Sequence, residues 1–152
     1  MKKLIFTLLA FGFLSIAKAQ ISDPVKWIFT AKKIAPKTYE LHITATLDPK
    51  WHIYAQDAGG EDAPATTLSF SKNPLVTLEG KTKEIGKLEK SFDQNFNSEL
   101  KYYENTVDFV QKIKVKSGVP TVVKGKITFV VCNDRKCLPP KDVPINIKVN
   151  SK

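Results

Sequence analysis

From Lys37 onward this chain alternates apolar and polar residues, and it does so in short runs closed by turn formers. Tyr39, Leu41, Ile43, Ala45 and Leu47 fall on one face of such a run. Thr66, Leu68 and Phe70 alternate in the same way, and so do Ile127, Phe129 and Val131, then Val143, Ile145, Ile147 and Val149. Val107, Phe109, Ile113 and Val115 form a further run, with Gln111 as its one polar break. A period of two marks half-buried strands. Shorter strands are expected at Trp27 to Ala31, Trp51 to Ala55 and Leu75 to Leu78. Turn chemistry separates the runs at Ala35-Pro36-Lys37, Asp48-Pro49-Lys50, Gly59-Gly60, Asn73-Pro74, Ser117-Gly118-Val119-Pro120 and Pro139-Pro140. No stretch of ten or more residues carries a helical period. Seven or more short strands at this spacing predict an all-β chain folded as a two-sheet antiparallel sandwich. With no internal repeat or linker, residues 22–150 are expected to form one domain.

The first nineteen residues read as a targeting segment rather than as part of the fold. Lys2 and Lys3 precede an apolar run from Leu4 to Ile16, and Ala17-Lys18-Ala19 supplies a small-x-small cleavage site. This is the layout of a secretory signal peptide. The run falls short of the roughly 20 residues that a membrane span needs. Stable membrane insertion is therefore not expected, and the expected product is soluble and exported.

The formal charge of the chain is +9, from 24 Lys and Arg against 15 Asp and Glu. Losing Lys2, Lys3 and Lys18 leaves 21 basic groups against the same 15 acidic ones. The excess does not point to nucleic acid. Arg135 is the only arginine, the lysines are scattered rather than clustered, and arginine is the residue suited to bidentate recognition of bases and phosphates. A solvated lysine-rich surface accounts for the charge.

One segment breaks the pattern. Gly86 to Glu104 shows little alternation and is rich in Asn, Gln and Ser in its second half, so it reads as a long loop carrying Phe92 and Phe96. Long loops in compact domains often serve as lids. The alternative is that the two phenylalanines pin the loop to the core.

The chemistry rests with two cysteines, in Val131-Cys132-Asn133-Asp134-Arg135-Lys136-Cys137-Leu138-Pro139-Pro140. In an exported chain a disulfide is expected. Cysteines this close in sequence close only a small local ring, worth about 2 kcal/mol in the chain-entropy model. If alternation continues past Val131, Cys132 faces away from the core, where a partner would reach its sulfur. Arg135 and Lys136 favour a thiolate and Asp134 opposes it. The residues alone leave three readings open. These are a redox-active pair, a structural disulfide in a non-catalytic binding module, and a metal site completed by His42 and His52. Nothing in the sequence joins the two histidines to the cysteines, so no metal and no cofactor is expected. There is no Gly-x-Ser-x-Gly, no phosphate-cradling loop and no Cys-x-x-Cys.

The segment from Phe129 to Pro140 resembles the active-site hairpin of the amino-terminal periplasmic domain of DsbD, a thiol:disulfide interchange protein. Pro49-Lys50-Trp51-His52-Ile53-Tyr54-Ala55-Gln56 is similar to the same family. So are Gly59-Gly60 with Pro64 and the strand through Phe70, and Phe96-Asn97-Ser98-Glu99-Leu100-Lys101-Tyr102-Tyr103. The resemblance implies an immunoglobulin-like sandwich with Cys132 and Cys137 as its redox pair. Cys137 would form the mixed disulfide with a partner and Cys132 would resolve it. Tyr54 would line the site, and Asp93 with Phe96 would belong to a cap over it. The implied partners are a thioredoxin-like or membrane electron donor, and oxidised periplasmic proteins as acceptors. The ring is one residue tighter than the best-known form of the motif, and Gln94 stands at an acidic position of the cap. The membrane and carboxy-terminal domains of the full-length family are not in these 152 residues, so the expectation is a stand-alone module.

Overall fold

A computed structural model describes residues 23–94, 96–116 and 119–150. The expected signal peptide lies outside the described residues, as does part of the turn at Ser117-Gly118.

Among the described residues, nine strands form two antiparallel sheets. They are β1 (Val25–Ala35), β2 (Thr38–Leu47), β3 (His52–Tyr54), β4 (Thr67–Phe70), β5 (Val76–Asp93), β6 (Ser98–Val115), β7 (Thr121–Phe129), β8 (Val131–Cys132) and β9 (Lys141–Val149). The larger sheet runs β1-β2-β6-β3-β8, with β5 on the other edge of β6, and the smaller runs β4-β7-β9. Lys37, after the β1 strand, and Lys50, before β3, take positive φ at the turns that the prolines announce.

The core lies between the sheets. Leu41, Ile43, Phe109 and Ile113 of the larger sheet meet Val123, Ile127, Ile145 and Ile147 of the smaller, all of them buried. Each such side chain contributes roughly 1.5–3 kcal/mol when fully buried. Trp27 spans the gap, 6.3 Å from the Phe109 ring and 5.1 Å from the Phe129 ring. The polar break at Gln111 faces this interior and is 3% exposed. Its amide donates to the carbonyls of Glu79 (3.2 Å) and Lys112 (2.8 Å), and its side-chain oxygen accepts from the Thr82 hydroxyl at 2.8 Å. The β5 register shifts between Glu79 and Lys83, with Gly80 at φ +68°. Gln111 is thus the hydrogen-bonding partner of a β-bulge, which lets an amide stay buried at low cost.

The long loop expected from Gly86 to Glu104 is a correction. β5 continues to Asp93 and β6 begins at Ser98, with Asp93 paired to Ser98. The strands escape the pattern because β5 has one free edge and little burial. Leu88 is 43% and Phe92 62% exposed. Backbone pairing with β6 holds this segment rather than a buried face, and alternation records only a buried face. The segment expected as a short strand at Leu75 to Leu78 is the start of the same 18-residue strand.

β6 changes partners along its length. Its second half pairs with β2, from Thr106 opposite Thr46 to Lys114 opposite Thr38. Its first half pairs with β3, where Tyr102 faces Tyr54 and Glu104 faces His52. Asn105, at φ +58°, lies at the changeover. The first half carries β3, and β3 carries β8, out beyond the sandwich core.

Phe109→Ala should cost about 3–5 kcal/mol, the range for a fully buried phenylalanine. Urea unfolding of the oxidised protein measures it.

Candidate functional site

The site forms on the face of β3 and β8 opposite the main core. Ile53 and Val131 point into that core, so their neighbours His52, Tyr54 and Cys132 point the other way. Cys132 therefore faces as alternation predicts. The expectation that a partner would reach its sulfur is corrected, because Cys132 is 2% exposed. A second small cluster covers it, built from Tyr54, Ala58 and Leu100. The Tyr54 hydroxyl donates to Cys132 Sγ at 3.5 Å. Cys137 is the exposed member of the pair.

The hairpin that joins them is set by one side chain. Asn133 Oδ1 accepts from the backbone N–H groups of Arg135 and Lys136, each at 3.0 Å. The Asn133 N–H donates to the Lys136 carbonyl at 2.9 Å, and the Leu138 N–H donates to the Val131 carbonyl at 2.9 Å. An asparagine that closes its own turn favours the tight reversal that a short ring requires. Cys132 and Cys137 face each other as an antiparallel pair with Cα atoms 4.0 Å apart, and their sulfurs are bonded.

The cover depends on the segment after β3. Thr66 Oγ1 donates to the Tyr54 carbonyl at 2.6 Å. The Ala55 N–H donates to the Lys101 carbonyl and the Lys101 N–H to the Ala58 carbonyl, both at 3.0 Å. Gly59 follows at φ +94°, pressed against the Glu99 carbonyl.

A cleft of about 400 Å³ opens over the disulfide. Both cysteines, His52, Tyr54 and Asp93 line it, with Asn133 to Lys136 as its rim. A polar pocket of about 170 Å³ adjoins it, lined by His52, Tyr54, Asp93, Tyr102, Glu104 and Asp134 among others. The His52 ring sits 5.4 Å from that of Tyr54 and 4.7 Å from that of Tyr102. Burial lowers the His52 pKa from 6.5, against the opposing pull of Glu104, Asp134 and Asp93. Burial raises the Tyr54 pKa, and the Asp93 carboxylate and Tyr102 add to the shift. Tyr54 thus remains a protonated donor to sulfur at ordinary pH.

The two cysteines, Tyr54 and Asp93 come together in this cleft. Phe96 lies in the β5–β6 turn, 37% exposed, and does not line the cleft. His42 is elsewhere, on β2, with its Nδ1 2.6 Å from Asp108 Oδ2. Among the described residues no three His, Cys, Asp or Glu side chains are grouped to hold a metal ion. Sequence reasoning gave His52 no part beyond a metal ligand. The signal was present, since His52 and Tyr54 share a face by alternation, but the strand opposite them could not be read from sequence. A larger apolar cleft of about 510 Å³, over Phe70, Pro74, Val76 and Val123, carries no cysteine, histidine or carboxylate.

Residues 19–148 match the family of the N-terminal domain of the thiol:disulfide interchange protein DsbD. The chain belongs to that family. The reduced N-terminal domain of DsbD from Neisseria meningitidis is similar in structure, with a TM-score of 0.52 at 16% identity. The match covers 82% of this chain and 86% of that one. The N-terminal periplasmic domain of ScsB from Proteus mirabilis gives a TM-score of 0.51 at 17% identity, over 80% of this chain and 44% of that one. At these identities the likeness establishes the fold, the immunoglobulin-like sandwich of DsbD N-terminal domains. No curated protein matches the sequence. The cleft is thus the disulfide site of a DsbD N-terminal-type thiol:disulfide interchange domain. No helix among the described residues is long and apolar enough to cross a membrane.

Gly59→Ala places a methyl group onto the Glu99 carbonyl in a left-handed backbone region. It should destabilise the fold by more than 1 kcal/mol. In the reduced protein it should also speed alkylation of Cys132, because Ala58 and Leu100 are displaced with the loop. Rates of iodoacetamide labelling resolved by cysteine measure this.

A second outcome follows from His52. Its folded-state pKa lies below 6.5, so the unfolded chain binds the extra proton first and stability falls as pH drops through that region. The His52→Gln variant should lack this component, so its stability deficit should shrink on acidification. Urea titrations of both proteins across that pH range check it.

Proposed function

We propose that this chain is an exported, periplasmic thiol:disulfide interchange module that relays electrons to oxidised proteins through Cys132 and Cys137. In the reduced state the Cys137 thiolate attacks one sulfur of a partner disulfide, and the other partner sulfur leaves as a thiolate. Cys132 then attacks Cys137, closes the ring and releases the partner's second sulfur as a thiolate. The partner gains two electrons and the cysteine pair loses them.

The observation that carries this reading is the unequal exposure of the two sulfurs. Cys137 is exposed on the hairpin, and Cys132 is 2% exposed beneath Tyr54. Only one sulfur is open to a partner, and the other waits within bonding distance. Arg135 and Lys136 lie beside Cys137 and favour its thiolate. The short ring supports the same reading, since it constrains little of the unfolded chain. Asp93 walls the cleft, and Phe96 follows it on the β5–β6 turn, so this turn is the proposed cap. Electrons would come from a thioredoxin-like or membrane protein, and the acceptors would be oxidised exported proteins. The reading involves no nucleic acid and no stable insertion of this chain in a membrane.

Single serine variants test the mechanism against a protein disulfide. Cys132→Ser should accumulate a mixed disulfide through Cys137, and Cys137→Ser should form none and lose all turnover. Both variants should keep the fold. The mechanism is wrong if neither traps a partner and each only lowers the melting temperature, as loss of a structural bond worth about 2 kcal/mol would do.

A further inference from the structure

The exchange mechanism requires Cys132 to act as a nucleophile in a place that disfavours its charge. Its sulfur is buried against Tyr54, Ala58 and Leu100, and an apolar setting raises a thiol pKa. Asp93 and Asp134 line the same cleft and oppose a second negative charge. The cations of the rim, Arg135 and Lys136, immediately precede Cys137 in the chain. The proton of Cys132 therefore needs a local acceptor.

The register supplies one. His52 of β3 lies directly opposite Cys132 of β8. Directly opposed residues on one face of a sheet have Cβ atoms about 4.5–5.5 Å apart. Both side chains line the cleft over the disulfide. The imidazole is held on two sides by the rings of Tyr54 and Tyr102. Glu104 lies opposite His52 on β6, and Asp93 from β5 and Asp134 from the hairpin complete its polar pocket.

We infer that His52 is the general base of ring closure, taking the Cys132 thiol proton as the mixed disulfide is resolved. This rests on the exchange reading above. In the step, an imidazole nitrogen of His52 accepts the Cys132 proton and the resulting thiolate attacks Cys137 Sγ. The Cys132–Cys137 bond forms as the bond between Cys137 and the partner breaks. The partner sulfur leaves with the electron pair, and the imidazolium returns a proton to it. The Tyr54 hydroxyl donates to Cys132 Sγ as charge develops there. Burial keeps the imidazole neutral near neutral pH, the form that accepts a proton. Asp93 and Asp134 are weaker candidates, because a carboxylate is a much poorer base toward a buried thiol than an imidazole is.

The test uses the full, reduced chain and glutathione disulfide as the probe. Samples are acid-quenched and alkylated, and mass separates the mixed disulfide from the closed ring. The first phase reports attack by Cys137, and the second reports closure by Cys132. In the native protein, closure should accelerate as His52 loses its proton, with a midpoint below pH 6.5. In His52→Gln, closure relative to attack should fall at least about 100-fold at neutral pH, the lower bound of a general-base contribution. Its pH dependence should move up to that of the buried thiol. His52→Phe keeps the ring between Tyr54 and Tyr102 but has no base, and it should show the same loss, which separates proton transfer from packing. Closure with the native pH profile in both variants overturns the inference and leaves the exchange reading standing. Absence of the first phase in the native protein at every pH overturns both.

Discussion

Strand β6 joins the core and the site in one ladder of backbone hydrogen bonds. Its second half is bonded to β2 in the sandwich, and its first half to β3, with β5 along the other edge of both. The site strands are short, since β3 has three residues and β8 two. Pieces of that length have no stability of their own. They stay in place because β6 is already fixed by Phe109 and Ile113 in the core, and because β3 in turn gives β8 an edge to bond to. The geometry of the disulfide is inherited from packing more than a strand's width away.

That inheritance explains how two cysteines in one small hairpin come to differ. Val131 and Cys132 are successive residues of a strand and so face opposite sides of the sheet. Val131 enters the sandwich core, and Cys132 enters the small cluster around Tyr54 and Leu100. Cys137 follows the turn that Asn133 closes and stays exposed. A burial difference of this kind distinguishes two sulfurs that are otherwise chemically alike. It also places a titratable ring, His52, directly opposite Cys132 on the neighbouring strand β3.

How much of this was legible in the sequence depended on how local each feature is. β2, β7 and β9 bury one face against a single core, so Leu41, Ile43, Ile127, Ile145 and Ile147 showed their period plainly. The cysteine hairpin was legible because the segment that carries the family resemblance, Phe129 to Pro140, is contiguous in sequence. β5 was not, because its burial is slight and its bulges at Glu79–Lys83 and Gly86–Leu88 reset the register. The cover over Cys132 was not legible either. It comes from Ala58 and Leu100, residues brought near Cys132 by pairing alone. Gln111 looked like a flaw in a strand until its bulge partner, Thr82, was in place. In each case what was missing was the identity of the strand across the ladder.

The central claim is that Cys132 and Cys137 exchange electrons with other proteins rather than staple a hairpin. The most direct measurement is the reduction potential of the pair. The protein would be equilibrated in graded glutathione or dithiol buffers, and its alkylated thiols counted by mass. The account predicts a value between about −120 and −270 mV, where exchange proteins operate. A value below about −300 mV, the range of structural disulfides, would contradict it.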